Sequence, residues 1–87
     1  MARVKRKGED PPRIDREVDA RGLTCPWPAL RARVALDHMK GGEVLRVVAT
    51  DRGAPRDFER FAHATGHTLL AQDTGGPEFV FYLRKKG

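Results

Sequence analysis

The alternation of hydrophobic and polar residues along the chain predicts its first strand and first helix. From residue 14 to residue 20, apolar and charged side chains alternate, which is typical of a half-buried strand. From Pro26 to about Lys40, apolar residues recur every three or four positions, which predicts an amphipathic helix. The glycine pair 41–42 should end this helix, because glycine adopts the left-handed conformation of a helix end without steric strain. The apolar face of the predicted helix comprises Ala29, Ala32, Ala35, Leu36 and Met39.

The rest of the chain predicts three more strands and one more helix. Residues 43–50 are rich in β-branched and apolar side chains, as in a central strand. A short helix is predicted from near Pro55 to Gly66, and residues 68–72 and 78–84 predict two strands joined by a hairpin loop. The residues predicted to share one face of their element are Leu45, Val47 and Ala49, then Phe58, Phe61, Ala62 and Thr65, and finally Phe79, Phe81 and Leu83.

This order of elements, β-α-β-α-β-β, predicts an α/β (α+β) fold. Right-handed crossovers place both helices on the same face of a mixed four-stranded sheet when the strand order allows it. We therefore expect residues 14–87 to form one two-layer sandwich. Residues 1–13 combine alternating charge and the pair Pro11-Pro12 with almost no apolar side chains, so we expect them to form a disordered basic tail.

The formal charge of +5 invites a nucleic-acid hypothesis, so its distribution matters. Residues 1–13 carry five basic and two acidic residues, which leaves twelve basic and ten acidic residues for the folded part. A general nucleic-acid binder is expected to show a basic stripe with interleaved aromatic residues, and no such stretch occurs outside the tail. Direct nucleic-acid binding is therefore not expected.

Compartment and metal content also follow from the composition. No stretch approaches the roughly 18 apolar residues of a membrane span, and the basic N-terminus continues into acidic residues and prolines instead of the apolar core of a signal peptide. A single cysteine cannot form an internal disulfide, so no oxidising compartment is implied. We expect a cytoplasmic monomer without membrane contact. His63 and His67, on either side of a helix end, make a poor metal ligand set with one thiol. We expect surface histidines, His38 included, and neither a metal nor a cofactor.

The only cysteine of the chain lies directly before a proline that can begin a helix. Pro26 suits the first helical position, which would place Cys25 at the N-cap. The unpaired amides and the dipole of a helix start, together with the nearby Arg21, are expected to lower the pKa of the thiol and make the nucleophilic thiolate abundant. Pro28 would remove a further amide that lacks a partner. The alternative is that Cys25 is a small buried residue, as most lone cysteines are.

The residues around this cysteine resemble the TusA/SirA family of small sulfur-carrier proteins through a Cys-Pro-x-Pro motif and its lead-in. The motif and lead-in are Asp19-Ala20-Arg21-Gly22-Leu23-Thr24-Cys25-Pro26-Trp27-Pro28. Further segments that look like family positions are 39–45, 49–51, 56–58, 66–69 and 83–86, so the resemblance covers about residues 14–87. Family members commonly carry proline after the second strand's aspartate, whereas this chain has Arg52 after Asp51. The resemblance implies a compact fold related to the C-terminal domain of bacterial initiation factor three.

The resemblance implies a sulfurtransferase that acts as a persulfide carrier. Cys25 would take sulfur from a cysteine desulfurase or rhodanese-like donor and pass it to an acceptor protein in tRNA 2-thiouridine formation, molybdenum-cofactor biosynthesis or sulfur oxidation. The chain offers no histidine clearly placed as a hydrolase base and no second cysteine for dithiol chemistry. The residues expected to shape the site are Gly22, Leu23, Pro26 and Pro28, and those expected to contact partners are Arg21, Trp27, Asp51, Arg56, Arg84 and Lys85.

Two other functions remain open from the sequence. An RNA- or ribosome-binding module could use the basic tail and the fold shared with the initiation-factor domain, and a regulatory interaction domain could carry an incidental cysteine. Removal of residues 1–13 would separate the first from sulfur transfer, and retained cellular function in Cys25→Ser would favour the second. Trp27, between the two prolines, is either a docking anchor for a partner or a ring folded against Leu23 or Leu30.

Overall fold

The computed structural model describes residues 13–87, and within this range the helices and strands follow the predicted order. The elements are β1 (Arg16–Ala20), α1 (Trp27–Asp37), β2 (Val44–Ala49), α2 (Ala54–Thr65), β3 (Thr68–Asp73) and β4 (Phe79–Arg84). The predicted disordered tail lies outside the described residues, apart from Arg13, which is exposed. Disorder of the tail therefore stays a prediction.

The strands form one mixed four-stranded sheet in the order β1-β2-β4-β3. β1 is parallel to β2, whereas β4 is antiparallel to both of its neighbours. The register of the β3–β4 hairpin shifts between Leu69 and Ala71. Because β1 and β2 run in the same direction, the loops that follow them leave the sheet at the same edge.

Both helices cover the same face of this sheet, because one hydrophobic cluster contains residues from α1, α2 and three of the strands. At its centre, Phe58 of α2 stacks on Phe81 of β4, with ring centroids 4.4 Å apart. Leu36 of α1 and Leu45 of β2 are fully buried in the same cluster. Removal of this apolar surface from water is the main force that holds the two layers together. The two-layer α+β sandwich predicted from the sequence is confirmed.

Helix α1 is shorter than predicted at both ends. At its start, Pro26 takes the N-cap position with φ −102° and ψ 18°, so the helix begins at Trp27. At its end, the N–H groups of His38 and Met39 donate to carbonyl groups only three residues back, which tightens the last turn. The helix therefore ends at Asp37, before the glycine pair that was expected to end it.

Helix α2 ends where the sequence predicts, at Gly66, which is left-handed with φ +87°. The next residue, His67, is buried, contrary to the expectation of a surface histidine, while the other two histidines are exposed. Its ring centroid lies 5.9 Å from that of Phe61, and its Nδ1 accepts the N–H of Lys86. Burial lowers the pKa of His67, and the positive charges of Lys85 and Lys86 act in the same direction.

Candidate functional site

Cys25 lies in the loop between β1 and α1, at the edge of the sheet where the parallel strands β1 and β2 end. Gly22 turns this loop with φ +81°, a left-handed conformation that glycine adopts without strain. The Gly22 N–H donates to the hydroxyl oxygen of Thr50 at 2.9 Å, which ties the loop to the end of β2. Leu23 packs against the core, and its N–H donates to the carbonyl of Ala20. The thiol itself is exposed.

The start of α1 differs from the prediction in a way that concerns the thiol. Cys25 lies one residue before the N-cap, because Pro26 holds that position. Neither Pro26 nor the buried Pro28 has an N–H group, and the N–H of Trp27 already donates to the carbonyl of Thr24 at 2.8 Å. The helix start therefore offers the thiol fewer free amides than a start without prolines would.

A charged side chain from the second helix contacts the thiol. Asp57, in the first turn of α2, accepts a hydrogen bond from Cys25 through its Oδ2 atom. This bond, the partial desolvation of the sulfur and the negative charges of Asp57 and Asp51 raise the pKa of Cys25, while the positive charge of Arg60 opposes them. The predicted lowering of this pKa is therefore wrong. Negative charge in contact with the sulfur disfavours the thiolate, whereas the dipole of α1 acts only within its first turn.

The loop between β2 and α2 approaches the cysteine closely. Its Asp51 accepts the N–H of Gly53 through Oδ2 at 2.9 Å. A Cβ atom at Gly53 would lie 3.7 Å from the Cβ of Cys25 and 3.1 Å from the Asp51 carboxylate. Gly53 therefore lets the two loops pack side by side, and a larger residue there would press on Asp51.

Arg21, which was expected to support the thiolate, is engaged elsewhere. Its guanidinium pairs with Asp19 at 2.9 Å and with Glu78 at 3.2 Å. The hydrogen bonds from Arg21 lower the pKa of Asp19 to about 2, and the same contacts raise the pKa of Arg21. Arg60 of α2 is the cation that favours the thiolate form of Cys25. The expectation that Arg21 assists the thiol is therefore wrong, and Arg21 instead joins β1 to the loop before β4.

Three apolar side chains extend from the site along the outside of α1. Trp27, two residues after Cys25, is 56% exposed. Leu30 and Val34 are 42% and 60% exposed. Residues three and four apart share one side of a helix. We call Trp27, Leu30 and Val34 the α1 apolar stripe.

Arg84 and Lys85 lie at the other end of the sheet. Arg84 pairs in register with Val44, the first residue of β2, whereas the site lies beyond the last residue of that strand. The length of β2, about 16 Å at roughly 3.3 Å per residue, separates the two. The Nζ of Lys85 donates to the carbonyl of Leu36 at 2.6 Å and so caps the last turn of α1. The structure does not bring these two residues together with the thiol.

Three residues of the site were not predicted from the sequence, namely Gly53, Asp57 and Arg60. Gly53 lies in the loop that follows β2, and Asp57 and Arg60 lie in the first two turns of α2. Arg56, which was predicted to contact partners, is exposed in the first of these turns. The order of the elements gave a partial indication that the loop after β2 lies near the cysteine, because the ends of neighbouring parallel strands meet at one edge of a sheet. The sequence did not predict which strands are neighbours, so these residues could not be assigned to the cysteine.

Within residues 13–87, no group of three or more His, Cys, Asp or Glu side chains could hold a metal ion. No helix in this range is long and apolar enough to cross a membrane. The charged groups that act on the Cys25 thiol are the carboxylates of Asp57 and Asp51 and the guanidinium of Arg60.

The sequence of residues 16–85 matches the family model described as Sulfurtransferase TusA. The chain belongs to the TusA family. The sulfur carrier protein TusA of Allochromatium vinosum is 46% identical over 72 residues, which are 83% of this chain and 95% of the relative. A putative sulfur carrier protein of Neisseria meningitidis serogroup A is 53% identical over 66 residues, 76% of this chain and 86% of the relative.

The fold has a counterpart among solved structures. The SirA-like protein from Desulfitobacterium hafniense superposes with a TM-score of 0.71, covering 84% of this chain and 100% of that chain. Its sequence identity of 20% shows the likeness of fold alone. The TusA/SirA membership inferred from the Cys-Pro-x-Pro motif and its lead-in is confirmed by the family match and the relatives.

Proposed function

We propose that the chain is a sulfur carrier that holds sulfane sulfur on Cys25 as a persulfide. Membership of the TusA family and relatives named as sulfur carrier proteins support this function. The observation that carries it is the exposed thiol of the only cysteine, placed at the sheet edge between two loops. A thiol in this position is open to a second protein, as transfer between proteins requires.

The transfer is an exchange between sulfur atoms. Cys25 attacks the outer sulfur of the donor's persulfide, and the inner sulfur of the donor leaves. Cys25 then carries the outer sulfur until a thiolate or an activated carbon on the acceptor takes it. The rate of such an exchange depends on the thiolate fraction, the leaving group and access to the sulfur. Since the chain has no second cysteine, it cannot resolve the persulfide into an internal disulfide.

The proposed donor is a cysteine desulfurase or a rhodanese-like protein, and the proposed acceptor acts in tRNA 2-thiouridine formation, molybdenum-cofactor biosynthesis or sulfur oxidation. We expect this relay in the cytoplasm, with the chain as a stoichiometric carrier. The α1 apolar stripe, Asp51 and Arg56 are the proposed contacts with these partners, since exposed tryptophan and arginine are frequent anchors of protein interfaces. Arg84 would contact only a partner that reaches the far end of the sheet.

Incubation with a cysteine desulfurase and free cysteine tests this function. Intact-mass measurement should show one added sulfur atom on the wild type and none on Cys25→Ala. Dithiothreitol should release the added sulfur as sulfide. A mass gain in Cys25→Ala, or no gain on the wild type with either a desulfurase or glutathione persulfide, would refute the sulfur-carrier proposal.

The RNA-binding alternative rests on the basic tail. On the sheet, Arg46 pairs with Glu17 at 3.4 Å and Arg21 pairs with Asp19 at 2.9 Å, so both cations are already matched by carboxylates. The basic tail lies almost wholly outside the described residues. Removal of residues 1–13 should abolish any weak RNA binding and leave sulfur loading unchanged.

A further inference from the structure

The thiol of Cys25 is hydrogen-bonded to the carboxylate of Asp57. The Cys25 sulfur donates to Oδ2 of Asp57, although the two residues are 32 positions apart in the sequence. A carboxylate has no proton of its own to donate, so the hydrogen in this contact comes from the thiol. The backbone of Asp57 is fixed by a bond from its N–H to the carbonyl of Gly53 at 3.0 Å. The contact therefore joins the exposed sulfur to a rigid turn at the start of α2.

This arrangement presents a chemical conflict for a carrier whose nucleophile is the thiolate. A negative charge beside the sulfur keeps the proton on it, and Asp51 adds a second negative charge from the loop after β2. Arg60 of α2 is the opposing cation, and α1 contributes no charged group to the shift. The conflict disappears when the group that holds the proton is also the group that removes it during the reaction.

We propose that Asp57 is a catalytic residue of the sulfur transfer, which accepts the proton of the Cys25 thiol during attack and returns it to the sulfur that leaves. This inference rests on the proposed sulfur-carrier function. Its basis is the direct contact between the reacting sulfur and a carboxylate oxygen held at the start of a helix. A proton acceptor must lie within hydrogen-bond reach of the proton that it takes, and Asp57 meets this condition.

The steps balance without an external oxidant or reductant. Asp57 takes the proton from the thiol, and the resulting thiolate attacks the outer sulfur of a protonated donor persulfide. The sulfur–sulfur bond of the donor breaks, a new one forms on Cys25, and the donor's inner sulfur leaves as a thiolate. The protonated Asp57 then gives its proton to that thiolate. Cys25 ends as a persulfide, the donor ends as a thiol, and Asp57 is again a carboxylate.

Asp57→Asn separates this role from a merely inhibitory or structural one. The amide keeps the size and an acceptor oxygen but cannot take up a proton. Alkylation of Cys25 by iodoacetamide at pH 7 should become faster, because the negative charge that disfavours the thiolate is gone. Single-turnover loading from glutathione persulfide should become at least about tenfold slower, since positioned proton transfer contributes roughly 10²–10⁴-fold. The pH at which loading reaches half its maximum should also shift.

Glu59→Gln is the matched control, because it removes a carboxylate from an exposed position of the same helix. Both of its rates should stay within about twofold of the wild type. Asp57→Ala provides a second variant, in which added formate should restore loading by supplying a carboxylate in solution. Faster loading in Asp57→Asn would overturn the proposal. It would also be overturned if alkylation and loading slowed equally in Asp57→Asn and formate failed to restore loading in Asp57→Ala. A wild type that does not load at all would instead refute the sulfur-carrier function.

Discussion

The N–H of Gly22 donates to the hydroxyl of Thr50 at 2.9 Å and so connects the loop that carries Cys25 to the end of β2. The same edge of the sheet continues into the loop with Asp51 and the turn with Asp57. This hydrogen bond between two loops is one of the contacts that hold the sulfur beside the Asp57 carboxylate.

Thr50→Val should loosen the loop of Cys25. Valine keeps the shape of threonine but has no acceptor oxygen for the Gly22 N–H, so the free energy of unfolding should fall by about 1 kcal/mol. Sulfur loading should fall several-fold, because the thiol is no longer held beside Asp57. Urea unfolding and single-turnover loading measure the two effects. Thr68→Val, at an exposed position of β3, is the control and should change neither.

Gly22→Ala should destabilise the same loop for a different reason. Gly22 has φ +81°, and although nothing lies within 4 Å of an added Cβ, the left-handed conformation costs another residue about 1–2 kcal/mol. Gly76→Ala also adds a methyl group in open space but at a glycine without positive φ, so its stability should stay near that of the wild type. Equal stabilities of the two variants would contradict the conformational explanation.

Cys25 should ionise above the usual range of a cysteine. The hydrogen bond to Asp57 and the nearby carboxylates raise its pKa, so the midpoint of iodoacetamide alkylation against pH should exceed that of free cysteine. Arg60→Gln should raise this midpoint further, because Arg60 is the cation that favours the thiolate. Arg33→Gln, on the exposed surface of α1, should leave it unchanged. A wild-type midpoint below that of free cysteine would restore the helix-start explanation.

Trp27→Ala should weaken the docking of a protein donor without changing the chemistry of the thiol. Buried interface tryptophans often contribute more than about 1 kcal/mol, so the KM for loading by a desulfurase should rise about fivefold or more. Loading from glutathione persulfide, which needs no protein contact, should stay the same. Leu70→Ala removes another exposed apolar side chain, on β3, and serves as the control. Parallel losses with both donors would mean that Trp27 acts on the site itself.

His67 should make the fold sensitive to mild acid. Its pKa is lowered in the folded state, so the unfolded chain binds more protons once the pH falls below its unfolded value of about 6.5. The free energy of unfolding should be highest above that pH and decrease as the pH falls towards the folded-state pKa. In His67→Asn, an amide oxygen can still accept the Lys86 N–H, and this decrease should be smaller. His63→Asn, at an exposed histidine, should retain the wild-type decrease.

The sequence alone determined the order of the elements and most of their apolar faces. Period-two and period-three-to-four patterns identified Val47 and Leu36 as core residues, because burial on one side of a strand or helix imposes those periods. Gly66 marked the end of α2 for a similarly local reason, since only glycine enters the left-handed region freely. Such properties depend on neighbours within a few residues, so they can be predicted from one sequence.

Only the tertiary structure decided the electrostatic environment of Cys25. The Cys25–Asp57 contact spans 32 positions, and the pairing of Arg21 with Glu78, which adds to its local pairing with Asp19, spans 57. Both depend on which strands are neighbours and on their direction. Coulomb interactions depend on distance in space, so a carboxylate brought into contact with the sulfur raised a pKa that the local helix start was expected to lower. The burial of His67 has the same origin. Phe61 and the residue Lys86, after the end of β4, contact a ring that the neighbouring sequence predicted to be on the surface.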